Sequence, residues 1–155
     1  MHFQMKEKEI QQVRDFNRYY TSIIGVLDQH YLNSPFSLPE GRVLFELHHH
    51  QPCSASDLIE AARMDKGYLS RVLKSFQKKG IVTRKQSKVD GRAFQLMLTS
   101  KGEKEFDKLN IASRDLVNSL LGPLSARDIS ALISHMNGIK SILNKTKGVK
   151  NNSDE

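Results

Sequence analysis

The chain is poor in several things, and each shortage narrows its reading. Cysteine occurs once, at Cys53. A single thiol excludes an internal disulfide and a CxxC metal knuckle. No stretch approaches the ~20 consecutive apolar residues that a membrane span requires, and mean hydropathy is −0.50. The opening MHFQMKEKEIQQ has no apolar run ahead of a cleavage site, so no signal peptide is expected. A cytoplasmic protein without a membrane partner follows as the expectation. Catalytic patterns are missing too. There is no Gly-rich phosphate loop, and no Ser/His/Asp or Cys/His spacing that would activate a nucleophile. Neither enzymatic activity nor a cofactor is expected.

Acidic residues are scarce in one region. Between Arg63 and Lys104 only Asp65, Asp90 and Glu103 are acidic, against twelve Lys and Arg. That segment carries +9, more than the +7 of the whole chain, so the remainder sums to −2. A basic module inside a slightly acidic chain is the footprint of a polyanion-binding element, unless the face is merely solvated.

What is present is mostly helical. With 155 residues the chain has room for one domain with a helical extension. Residues 6–31 space Ile10, Val13, Phe16, Tyr20, Ile23, Ile24, Leu27 and Tyr31 at helical intervals. Pro35 and Pro39 then stop that helix. Ser37 caps the next one, with Glu40 as its capping-box partner, and Val43, Leu44 and Leu47 face inward. Pro52 ends it near His50. Ser54 caps a short helix, SASDLIEAAR, with Asp57 at its third position. MDKG turns the chain into a second helix, GYLSRVLKSFQKK, which closes at Gly80. Leu69, Val72, Leu73 and Phe76 form its apolar stripe.

The period then changes. IVTRKQS and RAFQLMLT alternate around KVDG, which predicts a hairpin with Phe94, Leu96 and Leu98 on one face. Thr99 or Ser100 caps a long helix reaching Leu121, with Phe106, Leu109, Ala112, Leu116, Val117 and Leu120 on one side. GPLS interrupts it. Ser125 caps a last helix bearing Ile129, Leu132, Ile133, Met136, Ile139 and Leu143. The fold expected is mainly α with a small β-hairpin wing.

A short helix, a tight turn, a helix with a basic outer face and a basic hairpin together make a winged helix-turn-helix. The second helix fits a major groove. Its buried stripe fixes it on the domain, and Lys66, Tyr68, Ser70, Arg71, Lys74 and Lys78 are left to meet bases and phosphates.

Two stretches resemble the MarR-type winged-helix regulators. Asp90-Gly91-Arg92 followed by AFQLMLTSKG fits their wing, and MDKGYLSRVLKSFQKKGIVTR fits their recognition helix and its joint to the strand. The resemblance covers roughly Phe16 to Leu143. It implies a single domain over 1–147, with dimerisation helices at about 6–31 and 100–146, a DNA-binding lobe at about 37–99 and a disordered tail at 148–155. It further implies an obligate homodimer on double-stranded DNA, a repressor released by a small aromatic effector. FNRYYTSIIGVLDQHYLNSPFSLPEGRVLFEL also resembles a subset in which this domain precedes an acetyltransferase; no acetyl transfer is expected here. A winged-helix protein-interaction adaptor, or a detached regulatory half of such an acetyltransferase, remains the alternative.

The resemblance assigns DNA contacts to Lys66, Gly67, Tyr68, Ser70, Arg71, Lys74, Lys88, Asp90 and Arg92. Arg92 would enter the minor groove, held extended by Asp90. Tyr68 could instead pack on the lobe. Lys78, Lys79, Arg84 and Lys85 are phosphate contacts or plain surface. Tyr19, Tyr20, His30, Tyr31, Phe36 and Arg42 would lie near an effector pocket, or belong to the core. The chain departs from the family pattern at Arg63, where the turn often holds Gly, at Ile59, where a small residue is common, and at Gly91, where many relatives carry Arg. His48, His49 and His50 project about 100° apart on a helix and cannot share one metal ion. Cys53 is expected to be a passive thiol.

Overall fold

The computed structural model describes residues 6–31, 33–89, 91 and 93–145, without the side chains of 24–31. Asp90, Arg92 and the tail 148–155 lie outside the described residues, as do the side chains of Ile24, Leu27, His30 and Tyr31. In order, the elements are α1 (Glu7–Tyr31), α2 (Leu38–His50), α3 (Ala55–Ala62), α4 (Lys66–Lys78), β1 (Val82–Gln86), β2 (Phe94–Leu98), α5 (Ser100–Leu121) and α6 (Ala126–Lys145). They fall into two compact units, residues 1–114 and 115–155.

Local chemistry sets the boundaries. The Glu40 carboxylate accepts the Ser37 N–H at 2.8 Å, and Ser37 Oγ accepts the Glu40 N–H. Ser54 and Asp57 exchange the same pair of bonds at the start of α3. Each box satisfies two N–H groups that an uncapped helix would leave orphaned. Thr99, rather than Ser100, caps α5. Its Oγ1 accepts the Gly102 N–H at 3.0 Å and donates to the Gly80 carbonyl at 2.6 Å.

The core of the first unit gathers Val43, Leu44 and Leu47 of α2, Leu58 of α3, the Leu69/Val72/Leu73/Phe76 stripe of α4, and Ile81, Val82, Leu96 and Leu98 of the hairpin. Phe36 and Phe106 close it, with Phe36 edge-on to Phe76 at 5.7 Å. Each such side chain contributes about 1.5–3 kcal/mol on burial. The strands are antiparallel, with Val82 opposite Leu98, Arg84 opposite Leu96 and Gln86 opposite Phe94. Cys53 adds a bridge outside the hairpin: its carbonyl accepts the Leu96 N–H at 2.7 Å.

One expectation is corrected. Alternation put Phe94 on the face of Leu96 and Leu98, but Phe94 is 43% exposed. The buried face ends at Leu96, because the strands continue past the body of the lobe.

The second unit contains the end of α5 and all of α6. Leu132, Ile133, Met136, Ile139, Ile142 and Leu143 of α6 are exposed in the single chain. In the first unit, Val13, Phe16, Tyr19 and Tyr20 of α1 are exposed as well.

Candidate nucleic-acid interface

A helix-turn-helix is built from α3, a three-residue turn and α4. Arg63 ends α3 in the left-handed conformation, φ 54, and its N–H donates to the Ile59 carbonyl at 2.9 Å. A glycine would adopt that conformation without cost; the arginine does so at about 1–2 kcal/mol. Asp65 then caps α4 by accepting the Tyr68 N–H at 2.9 Å. Asp is a residue type that favours this position, here inside the stretch MDKG that reads as a turn. Ile59 is accommodated, partly buried against the core.

The buried stripe of α4 orients its other side outward. Lys66, Gly67, Ser70, Arg71 and Lys74 are exposed, and so is Lys88 in the hairpin loop. Tyr68 takes the packed alternative: it is partly buried against the core. The guanidinium carbon of Arg71 stands 5.8 Å from its ring centroid. Across the loop, the Gln86 amide donates to the Gly91 carbonyl, and Val89 is 99% exposed.

Basic side chains of this lobe are held by rings and carbonyls. Arg84 lies over Phe94 at 4.0 Å, and Lys79 stands 5.9 Å from the Phe36 centroid. Lys101 donates to the Lys79 carbonyl at 2.8 Å. Among the described residues, none of Lys66, Arg71, Lys74, Arg84 or Lys88 pairs with a carboxylate. Arg71, Lys79 and Arg84 are thus restrained by rings, and no described carboxylate neutralises the exposed cations of α4 and the hairpin.

The histidines serve the joint between α2 and α5. His48 donates to Glu103 at 2.9 Å and stacks on Phe106 at 3.9 Å. Gln51 donates to the same carboxylate at 2.6 Å and accepts the Leu98 N–H. These bonds, that of Gln51 first, hold the Glu103 carboxyl below its ordinary value. His49 and His50 turn back onto the carbonyls of Phe45 and Glu46. Burial, aided by Asp57, pushes the Cys53 thiol up to about 11.

Of the residues expected near an effector pocket, Tyr19 and Tyr20 are exposed on α1, with Tyr20 stacked on Phe16. Phe36 is buried in the core. Arg42 is paired with Glu46 at 2.7 Å.

This architecture has known counterparts. The MarR family model matches residues 36–94, from the start of the core to the second strand of the wing. Over that segment the chain is similar to the MarR family. It is 30% identical over 82 residues to the HTH-type transcriptional regulator BilQ of Clostridium symbiosum, a match covering 53% of this chain and 57% of that relative. Among solved structures, BpsR of Bordetella bronchiseptica, whose DNA binding is regulated by 6-hydroxynicotinic acid, superposes with a TM-score of 0.70 at 18% identity. That likeness covers 84% of this chain and 98% of BpsR. MepR of S. aureus, solved in complex with DNA, superposes with a TM-score of 0.69 at 17% identity, over 89% of this chain and 98% of MepR. The two superpositions show that the shared fold extends well beyond the segment matched by the family model.

Proposed function

We propose that this chain is a member of the MarR family, a sequence-specific, non-enzymatic DNA-binding transcriptional regulator of the cytoplasm. It acts as a homodimer on an inverted-repeat operator, and a small aromatic ligand releases it. The observation that carries this reading is the outer face of α4. Lys66, Ser70, Arg71 and Lys74 stand exposed on a helix fixed by four buried side chains, and among the described residues the three cations pair with no carboxylate. A rigid cationic helix of this width suits a major groove.

Within the interface, Lys66, Gly67, Ser70, Arg71 and Lys74 approach base edges and flanking phosphates. Tyr68 acts from beneath, by supporting Arg71. Lys88 follows the backbone at the wing, and Asp90 and Arg92 keep their wing-tip assignment from the sequence motif. The dimer reading is supported by the exposed apolar side chains of α1 and α6, which a second copy would cover. A two-fold dimer places half-sites roughly 10 bp apart, about one helical turn. The effector reading is supported by BpsR, whose DNA binding a small aromatic acid regulates.

Genome-wide mapping of the DNA bound by the protein tests the proposal. Enrichment of an inverted repeat near promoters is expected, and the neighbouring genes would indicate the class of ligand. Recovery of DNA without a shared sequence would refute it.

A further inference from the structure

Arg84 sits on the wrong face of its strand. It is paired directly with Leu96, so both side chains share the side of the hairpin that carries the core. Leu96 is buried there; Arg84 is exposed. Phe94, diagonal to Arg84 on the same face, is exposed too, and the Arg84 guanidinium carbon lies 4.0 Å from its ring centroid. Beyond Leu96 this face opens into a cleft of about 510 Å³, whose opposite wall is α4 with Ser70, Lys74 and Gln77.

We propose that Phe94 is a positioning residue, whose ring holds the Arg84 guanidinium in this cleft as a clamp for a DNA backbone phosphate, opposite Lys74 and Ser70. The proposal rests on the DNA-binding reading above. Stacking on a ring restrains the arginine while leaving its N–H donors free at the edge of the plane, where they match a phosphate in bidentate geometry. A carboxylate partner would spend those donors, and among the described residues Arg84 has none. A phosphodiester carries one negative charge and accepts hydrogen bonds on two free oxygens. Two cations and a hydroxyl, drawn from the hairpin and from the recognition helix, meet those requirements together. The ring explains itself in the same terms. An exposed phenylalanine forgoes most of its burial energy, and here its face supports the cation.

The test uses the full chain and a fluorescein-labelled 24-bp duplex of mixed sequence, because backbone contacts dominate binding without a specific site. Affinity is measured by anisotropy between 50 and 200 mM KCl for wild type, Arg84→Ala, Phe94→Leu, Phe94→Tyr and the Arg84→Ala/Phe94→Leu double variant. Each lost phosphate contact lowers the steepness of log K against log salt by about 1 per lobe. Arg84→Ala and Phe94→Leu are each expected to lose that amount, the double variant no more than either, and Phe94→Tyr nothing. If Phe94→Leu lowers the melting temperature but keeps the wild-type slope, the ring merely packs the wing and the positioning role is refuted. If Arg84→Ala keeps the slope, the clamp itself is refuted while DNA binding stands. Failure of the wild type to bind the duplex at 50 mM salt would refute both the clamp and the DNA-binding reading.

Discussion

Gly102 passes the Ile81 carbonyl so closely that a Cβ at that position would stand 2.2 Å from its oxygen. The contact sits where the chain leaves the wing and enters α5. Thr99 closes the same joint through the Gly80 and Ile81 carbonyls, and Lys101 through that of Lys79. The end of the recognition helix is thereby fastened to the start of the long helix, and the obstacle is backbone, which cannot swing aside. Gly102→Ala is therefore expected to destabilise the protein by about 1–3 kcal/mol, the usual cost of overpacking. Urea unfolding followed by circular dichroism measures it; an unchanged midpoint would contradict the close approach.

Arg63 offers the opposite change. Its left-handed backbone costs about 1–2 kcal/mol in an L residue and nothing in glycine. Arg63→Gly is expected to raise the melting temperature by about 2–4 °C per kcal/mol relieved. A lower melting temperature would mean that the arginine side chain outweighs the strain.

Cys53 is buried, and its thiol is held up at about 11 by burial and by Asp57. Native protein at pH 8 is expected to react with iodoacetamide far more slowly than the urea-unfolded chain. Equal rates would contradict the passive role.

Glu103 and Asp57 both titrate below their ordinary values of 4.5 and 3.8. A hydrogen bond from Gln51 is the leading cause for Glu103, and the backbone bond from Ser54 for Asp57. A carboxylate depressed on folding stabilises above its unfolded value, and that stability is lost as pH falls through the folded one. Stability should therefore fall as pH drops below about 4.5. Glu103→Gln should flatten the fall. An identical acid limb in the variant would remove Glu103 from the account.

What the sequence disclosed follows from how far apart the interacting residues lie. The boxes Ser37/Glu40 and Ser54/Asp57 are legible because both partners lie within one helical turn. The stripe Leu69/Val72/Leu73/Phe76 is legible because burial repeats with the helix. The exposure of Phe94 is not, since alternation assigns a face but not where the lobe beneath it ends. The bridge from Cys53 to Leu96 and the bonds of His48 and Gln51 to Glu103 join residues far apart in the chain, which no local pattern encodes. At the interface the cationic face of α4 could be read directly. The packing of Tyr68 beneath Arg71 could not, because its spacing suits either role.

The exposed apolar side chains of α6 bear on assembly. Replacing Leu132 and Met136 together by Asp is expected to turn a dimer into monomer or unfolded chain, read as mass by light scattering. A wild-type mass near 17.7 kDa at micromolar concentration would contradict the dimer.

The proposed function rests on sequence-specific DNA binding through the α4 face. Its most direct test is a competition at 150 mM salt between the genomic fragment most enriched by the protein and a shuffled copy of it, read by fluorescence anisotropy. The fragment is expected to bind at least ~10³-fold more tightly than its shuffled copy. Equal affinity for the two would contradict it.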